Sequence, residues 1–265
     1  MQKDRQDNRT DSTNSTAFGF RQVPVGDKQG LVRGVFDSVA DNYDVMNDVM
    51  SVGLHRLWKN RMIDALHLPK QSNRACRMVD IAGGTGDIAF RACDRAARLG
   101  MTLNVQVIDA NAEMLRVGRD RARFKQAGQK LDFIVGNAES LPLDDASVDF
   151  YTIAFGIRNV THRDRALAEA RRVLRPGGRF VCLEFSQLPS RPLQRAYDAY
   201  SFNIIPRLGG LVANDADSYQ YLVESIRTFP AAPQFKAELQ AAGLDRCTYQ
   251  HLTGGIAALH CGWRI

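Results

Sequence analysis

The sequence is short of cysteine and holds no paired thiol motif. Its five cysteines, Cys76, Cys93, Cys182, Cys247 and Cys261, are scattered and odd in number, with no Cys-x-x-Cys. That excludes a disulfide framework, a zinc ribbon and an iron–sulfur cluster, and predicts reduced thiols in a cytoplasmic setting with no metal site. No run of 18 uninterrupted apolar residues exists, so no segment reads as a bilayer span. The first 17 residues lack the apolar stretch of a signal peptide and have almost nothing to bury, so 1–17 reads as a disordered tail. What is present is ordinary globular composition, 45% hydrophobic over 265 residues, with 35 basic against 29 acidic side chains and a net charge of +6. Collagen-like and wholly disordered classes are excluded. The basic excess alone chooses among nucleic acid, an anionic membrane surface and an acidic ligand not at all.

Residues 18–265 read as one domain with four parts: N-terminal helices over 18–70, a core over 72–189, a helical insertion over 190–240 and a strand pair over 241–265. The core alternates. Strands at 77–82, 103–108, 131–135, 148–157 and 180–185 are separated by helices at 87–99, 112–127 and 163–174, the last stopped by Pro176-Gly177-Gly178. This rhythm predicts an α/β fold, a Rossmann-like and mostly parallel sheet with helices on both faces. Two C-terminal strands joined at Thr253-Gly254-Gly255 bring the sheet to seven.

The chemistry concentrates at strand ends. Asp80 precedes Gly83-Gly84-Thr85-Gly86, a glycine turn that lets a ligand approach the main chain. Asp109 ends the next strand, 23 residues after Gly86, placed to accept from ribose hydroxyls. Asn137 and Ala138 follow the third strand, where a polar turn can meet an adenine edge, although asparagine in a turn is ordinarily a turn former. Two ligands fit the turn. Gly84-x-Gly86-x-x-Ala89 also matches a dinucleotide fingerprint, so an NAD-dependent oxidoreductase competes. Asp80 discriminates, because an acid repels a diphosphate and attracts the sulfonium and ammonium of S-adenosyl-L-methionine. The basic balance also admits an RNA methyltransferase, but no basic stripe with interleaved aromatics and no added RNA-binding module is visible, so no nucleic-acid partner is expected.

Five blocks stand out, several of them outside any generic cofactor core: 36–48 (FDSVADNYDVMND), 82–87 (AGGTGD), 155–160 (FGIRNV), 197–202 (YDAYSF) and 211–219 (LVANDADSY). Together they resemble the UbiE-type quinone-biosynthesis methyltransferases over about residue 18 to the end. The resemblance implies an S-adenosylmethionine-dependent C-methyltransferase acting on the ring of a polyprenylated quinol in ubiquinone or menaquinone biosynthesis. It implies Thr85, Asp109, Asn137 and Ala138 as cofactor contacts. Ala154 stands where some members carry serine, so no side-chain hydrogen bond is expected there and it is left out of the site.

Arg158 and Asn159, just past an apolar strand, are expected to stabilise and orient a phenolate; the competing reading is an arginine that caps the strand or pairs with Asp164. Tyr43, Asp44, His55, Asp215 and Asp217 are candidate proton acceptors, with none preferred. Met46, Val49, Met50, Leu54, Leu57 and Trp58 on one side, and Phe202, Ile204, Ile205, Pro206 and Leu208 on the other, are expected to line a prenyl channel, or else plain core. Further expectations are loose attachment to an anionic membrane on its inner face, and a homo-oligomer or biosynthetic assembly.

Overall fold

In the computed structural model, residues 15–39, 48, 51, 53–70, 74–123, 130–190, 192, 194, 195, 197, 199 and 216–265 are described. The central feature is a seven-stranded sheet. Its strands are β3 (Cys76–Ile81), β4 (Leu103–Asp109), β5 (Leu131–Val135), β6 (Val148–Ala154), β7 (Leu174–Phe185), β8 (Asp245–Leu252) and β9 (Ala257–Trp263). Their order is β5-β4-β3-β6-β7-β9-β8, parallel from β5 to β7 and antiparallel at β9 and β8. Order reverses beside β3, and in open α/β sheets that is where ligands bind, at the strands' carboxyl ends.

The strands are buried on both faces. Met78, Val105 and Val107 pack into one apolar layer, while Val79, Ile81, Tyr151 and Ile153 pack into the other. This is why the core strands read as apolar runs rather than alternating ones. Five helices flank the sheet: α2 (His55–Ala65), α3 (Asp87–Arg98), α4 (Ala112–Arg123), α5 (Arg163–Val173) and α7 (Ala232–Ala241). Two more, α1 (Val25–Val39) and α6 (Ala216–Thr228), meet each other, and α1 also contacts α4.

Three expectations needed correction. The end of the expected tail, residues 15–17, forms β1 (Ser15–Phe18) together with Phe18, paired antiparallel with β2 (Arg21–Pro24). A two-stranded hairpin is marginal alone. This one is held by Phe18, buried and stacked on Tyr221 at 4.1 Å, and by Glu224, which accepts the Phe20 N–H at 3.0 Å. Second, the N-terminal helices expected over 18–70 begin only at Val25, where α1 starts. Third, Pro176-Gly177-Gly178 does not separate a helix from a strand. It lies inside β7, whose register against β6 jumps from Val148↔Leu174 to Phe150↔Arg179. An irregularity near the start of a strand tolerates proline where a regular ladder does not.

Candidate active site

A cleft partly open to solvent lies at the carboxyl ends of β3, β4 and β6. From the β3 end come Asp80, Gly83, Gly84 and Thr85; from β4, Asp109 and Asn111; from the turn after β5, Asn137 and Ala138; from the β6 end, Ala154, Phe155 and Asn159. Eight residues read from the sequence as site members therefore share one cavity.

Asp80 is fully buried as the second-last residue of β3. Its Oδ1 accepts the Thr152 hydroxyl at 2.7 Å, while its Oδ2 is buried without a partner. Desolvation pushes its pKa up to about 7, against the pull of Thr152. A buried carboxylate oxygen without a donor is costly, and a cationic ligand group relieves that cost. Gly83 makes the approach possible, since a Cβ there would lie 2.9 Å from Asp80 Oδ2 and 2.7 Å from Val107.

Asp109 shapes the loop and remains available to a ligand. Its Oδ2 accepts the Gly84 N–H at 2.9 Å and its Oδ1 accepts the Asn111 N–H at 2.8 Å. Desolvation raises its pKa, opposed by those N–H groups. Two acceptor oxygens offer about four lone-pair directions, so ribose hydroxyls can still bond. Asn137 lines the cleft and is also a turn former, its Oδ1 accepting the Glu139 N–H at 2.9 Å. Thr85 is buried and accepts from Arg121 at 3.2 Å. Gly86 is absent from the lining. It caps α3 with φ +81 and packs against Phe133 and Phe90, where a Cβ would meet ring atoms at 3.2–3.3 Å. Glycine at this position avoids that clash.

A buried, donor-hungry carboxylate, an uncrowded glycine turn, a ribose-facing acid and a polar turn together fit S-adenosylmethionine. The buried Asp80 carboxyl beside the glycines offers an acceptor, not the donor that a diphosphate would need at that point.

The expectation that Arg158 faces the reacting centre is corrected. Arg158 does not line the cleft. Its guanidinium is buried and spent on Glu184 Oε1 at 2.6 Å, the Phe155 carbonyl at 2.6 Å and Ser225 Oγ at 3.3 Å. It also lies over the Phe185 ring, and its partner is Glu184 rather than Asp164. Arg158 thereby holds the turn after β6, where Phe155 has φ +56. A left-handed phenylalanine costs on the order of 1–3 kcal/mol and persists only where its surroundings hold it. Asn159 does line the cleft, and its Oδ1 accepts the Tyr221 hydroxyl at 3.0 Å.

Ala154, set aside in the sequence reading, also lines the cleft. His55 does not. It is buried, its Nδ1 3.1 Å from Ser51 Oγ and 3.5 Å from Asp48. Asp217 sits exposed in the first turn of α6, where it complements the helix dipole. Trp58 is core, donating to Thr253 at 2.9 Å and packing on Phe155 and Phe185, and Leu57 is exposed. Tyr43, Asp44, Asp215 and the channel residues Met46, Val49, Met50, Phe202, Ile204, Ile205, Pro206 and Leu208 lie outside the described residues. The sequence reading missed Lys59, Asp87, Asn111 and the α1 residues Gln29 and Arg33, all in the lining. Only Asp87 had a local signal, as the acid immediately after the glycine turn.

Comparison with solved structures gives the fold. An S-adenosylmethionine-dependent methyltransferase from Thermotoga maritima aligns over 88% of this chain and 99% of its own, at TM-score 0.58 and 20% identity. Phosphoethanolamine N-methyltransferase 2 of Haemonchus contortus, solved with S-adenosyl-L-methionine, aligns over 78% of this chain and 52% of its own, at TM-score 0.55 and 14% identity. Sequence relatives are far nearer. The ubiquinone/menaquinone biosynthesis C-methyltransferase UbiE of Methylobacterium nodulans is 57% identical over 251 residues, 95% of this chain and 97% of the relative. The UbiE of a Bradyrhizobium species is 54% identical over 256 residues, 97% and 99% of the two chains. With a family model matching residues 22–264 as well, the chain belongs to the ubiE/COQ5 methyltransferase family.

Proposed function

We propose that this chain transfers a methyl group from S-adenosylmethionine to a ring carbon of a polyprenylated quinol, a 2-polyprenyl-6-methoxy-1,4-benzoquinol, a demethylmenaquinol or both. Family membership and the UbiE relatives carry the reaction class; the observation that carries the cofactor is the orphaned Oδ2 of Asp80 facing a glycine turn beside Asp109. The cofactor supplies an electrophilic methyl on a sulfonium. The chain's own work is alignment, from which such a transfer gains most.

Ring methylation needs electron density at the accepting carbon, and ionising a neighbouring phenol supplies it. At pH 7 that costs about 4 kcal/mol for a phenol of pKa about 10. Arg158 offsets little of it directly, because Glu184 already balances its charge. Asn159 is the group at the cleft. Tyr221 takes up its Oδ1, which leaves the carboxamide N–H bonds to orient the quinol oxygen. Arg158 is a positioning residue that fixes the turn carrying Asn159.

The expected result is a mass increase of one methyl on the quinol ring with either acceptor, and loss of activity in Asn159→Ala with cofactor affinity unchanged. Transfer to neither acceptor overturns the reading.

The basic excess suits loose attachment to an anionic inner-leaflet surface, where a polyprenyl quinol must be collected. Among the described residues, no helix is long and apolar enough to cross a membrane. Much of the arginine charge is locally paired, as in Arg116 with Glu113 and Asp120 and Arg172 with Glu169 and Asp145. Attraction then rests on the unpaired remainder, at about 1 kcal/mol per basic residue near the surface. Co-sedimentation with phosphatidylglycerol vesicles is expected to exceed that with phosphatidylcholine and to fall with salt. Indifference to both counts against it.

A further inference from the structure

Lys59 is a buried ammonium that the quinol chemistry leaves without a task. It projects from the middle of α2 into the lining of the cofactor cleft, beside Asp87, and only 5% of its side chain is exposed. Burying a lysine is costly unless its charge is matched. Its one match among the described contacts is Asp87 Oδ2, at 2.8 Å. Asp87 is not dedicated to it, since its other oxygen accepts Arg91 Nε at 2.9 Å. An ammonium carries three donors, so a single carboxylate oxygen leaves Lys59 with hydrogen-bonding capacity facing the cleft.

On the same cleft, Asp80 Oδ2 is a buried acceptor without a donor. A surplus acceptor of negative charge and a surplus donor of positive charge thus flank one glycine turn. That pairing complements a zwitterion, and an α-amino acid carries both charges on one carbon. We propose that Lys59 binds the α-carboxylate of the cofactor's amino-acid end, opposite the ammonium that Asp80 takes, and that Asp87 aims it. The inference rests on the S-adenosylmethionine reading above and adds the carboxylate subsite. A helix position 28 residues before its aspartate partner gives no sequence signal for such a role, because only the packing of α2 on α3 brings the two together.

The test compares S-adenosylhomocysteine with its decarboxylated aminopropyl analogue by calorimetry on the full chain. The wild-type protein is expected to prefer S-adenosylhomocysteine by at least about tenfold, the worth of a charge-assisted hydrogen bond in a partly dry site. Lys59→Met/Asp87→Asn removes the pair without stranding either charge. It is expected to lose about tenfold to a hundredfold on S-adenosylhomocysteine and less than about twofold on the decarboxylated analogue. Lys59→Arg is expected to retain most of the affinity. Equal losses on both ligands, or no loss on either, overturn the assignment. If the double variant does not fold, wild-type discrimination below about twofold overturns it equally. Wild-type protein binding neither ligand overturns the cofactor reading itself, which separates the two failures.

Discussion

Glu184→Ala is expected to cost the fold about 3–5 kcal/mol, because it leaves the Arg158 guanidinium buried and unpaired. In a chain of this size that is a fall in Tm of on the order of 10 °C. The pair sits where neither member can find water, with Glu184 fully buried and 3% of the Arg158 side chain exposed. Glu184 also accepts the backbone N–H groups of Arg158 at 3.3 Å and Phe185 at 2.9 Å. Burial raises the Glu184 pKa, and Arg158 works against that rise. Replacing both partners, as Arg158→Met/Glu184→Leu, should recover part of the lost stability, since no buried charge is left unpaired while the N–H groups of Arg158 and Phe185 lose their acceptor. Thermal denaturation of Arg158→Met, Glu184→Leu and the double variant closes the cycle, and additive losses would remove the pair as the cause. The double variant also isolates the chemistry. If Arg158 acts only by holding Phe155 and the Asn159 turn, turnover falls while the affinity for S-adenosylhomocysteine stays near the wild-type value.

Which parts of this arrangement were legible in sequence follows the range of the forces involved. β3 through β6 announce themselves because both faces are buried, so short apolar runs ending in glycine or aspartate mark strands and their carboxyl ends. Asp80, Gly83, Gly84, Thr85, Asp109, Asn137 and Ala138 were readable for the same reason: the sheet's topology turns strand ends into neighbours. The hairpin at Ser15–Pro24 was not readable. Its stability comes from Phe18 on Tyr221 and Glu224 on Phe20, contacts spanning about two hundred residues. Arg158 was placed at the correct turn and assigned the wrong direction. Its position belongs to β6, but its partner belongs to β7, 26 residues on, and a charge with a buried counter-charge cannot serve a ligand as a bare one does. Lys59 went unnoticed because one lysine on an amphipathic helix resembles any solvent-facing lysine until α2 is docked.

Asp80→Asn is expected to produce opposite signs in two measurements. In the unliganded protein the folded carboxyl holds its proton to about pH 7, whereas its ordinary value is 3.8. A carboxyl raised on folding opposes folding at high pH: the penalty grows between those two values and is constant above them. Removing the charge should therefore raise the Tm of the unliganded protein at pH 8, with little effect at pH 4. Ligand binding runs the other way. The ammonium of S-adenosylhomocysteine requires the ionised form, so wild-type affinity should level off just above pH 7, fall about tenfold per unit well below it, and weaken again only where the ligand's own ammonium loses its proton. Near pH 7 about half of the protein carries the proton, so binding should release on the order of 0.5 proton, visible as a dependence of calorimetric enthalpy on the buffer's ionisation heat. Asp80→Asn should abolish both the slope and the release while weakening binding by about a hundredfold. Asp109 does not mimic this pattern, because its ribose partners are neutral and a protonated carboxyl still bonds a hydroxyl. A slope that survives Asp80→Asn would move the titrating group elsewhere in the cleft and remove Asp80 as the ammonium's partner.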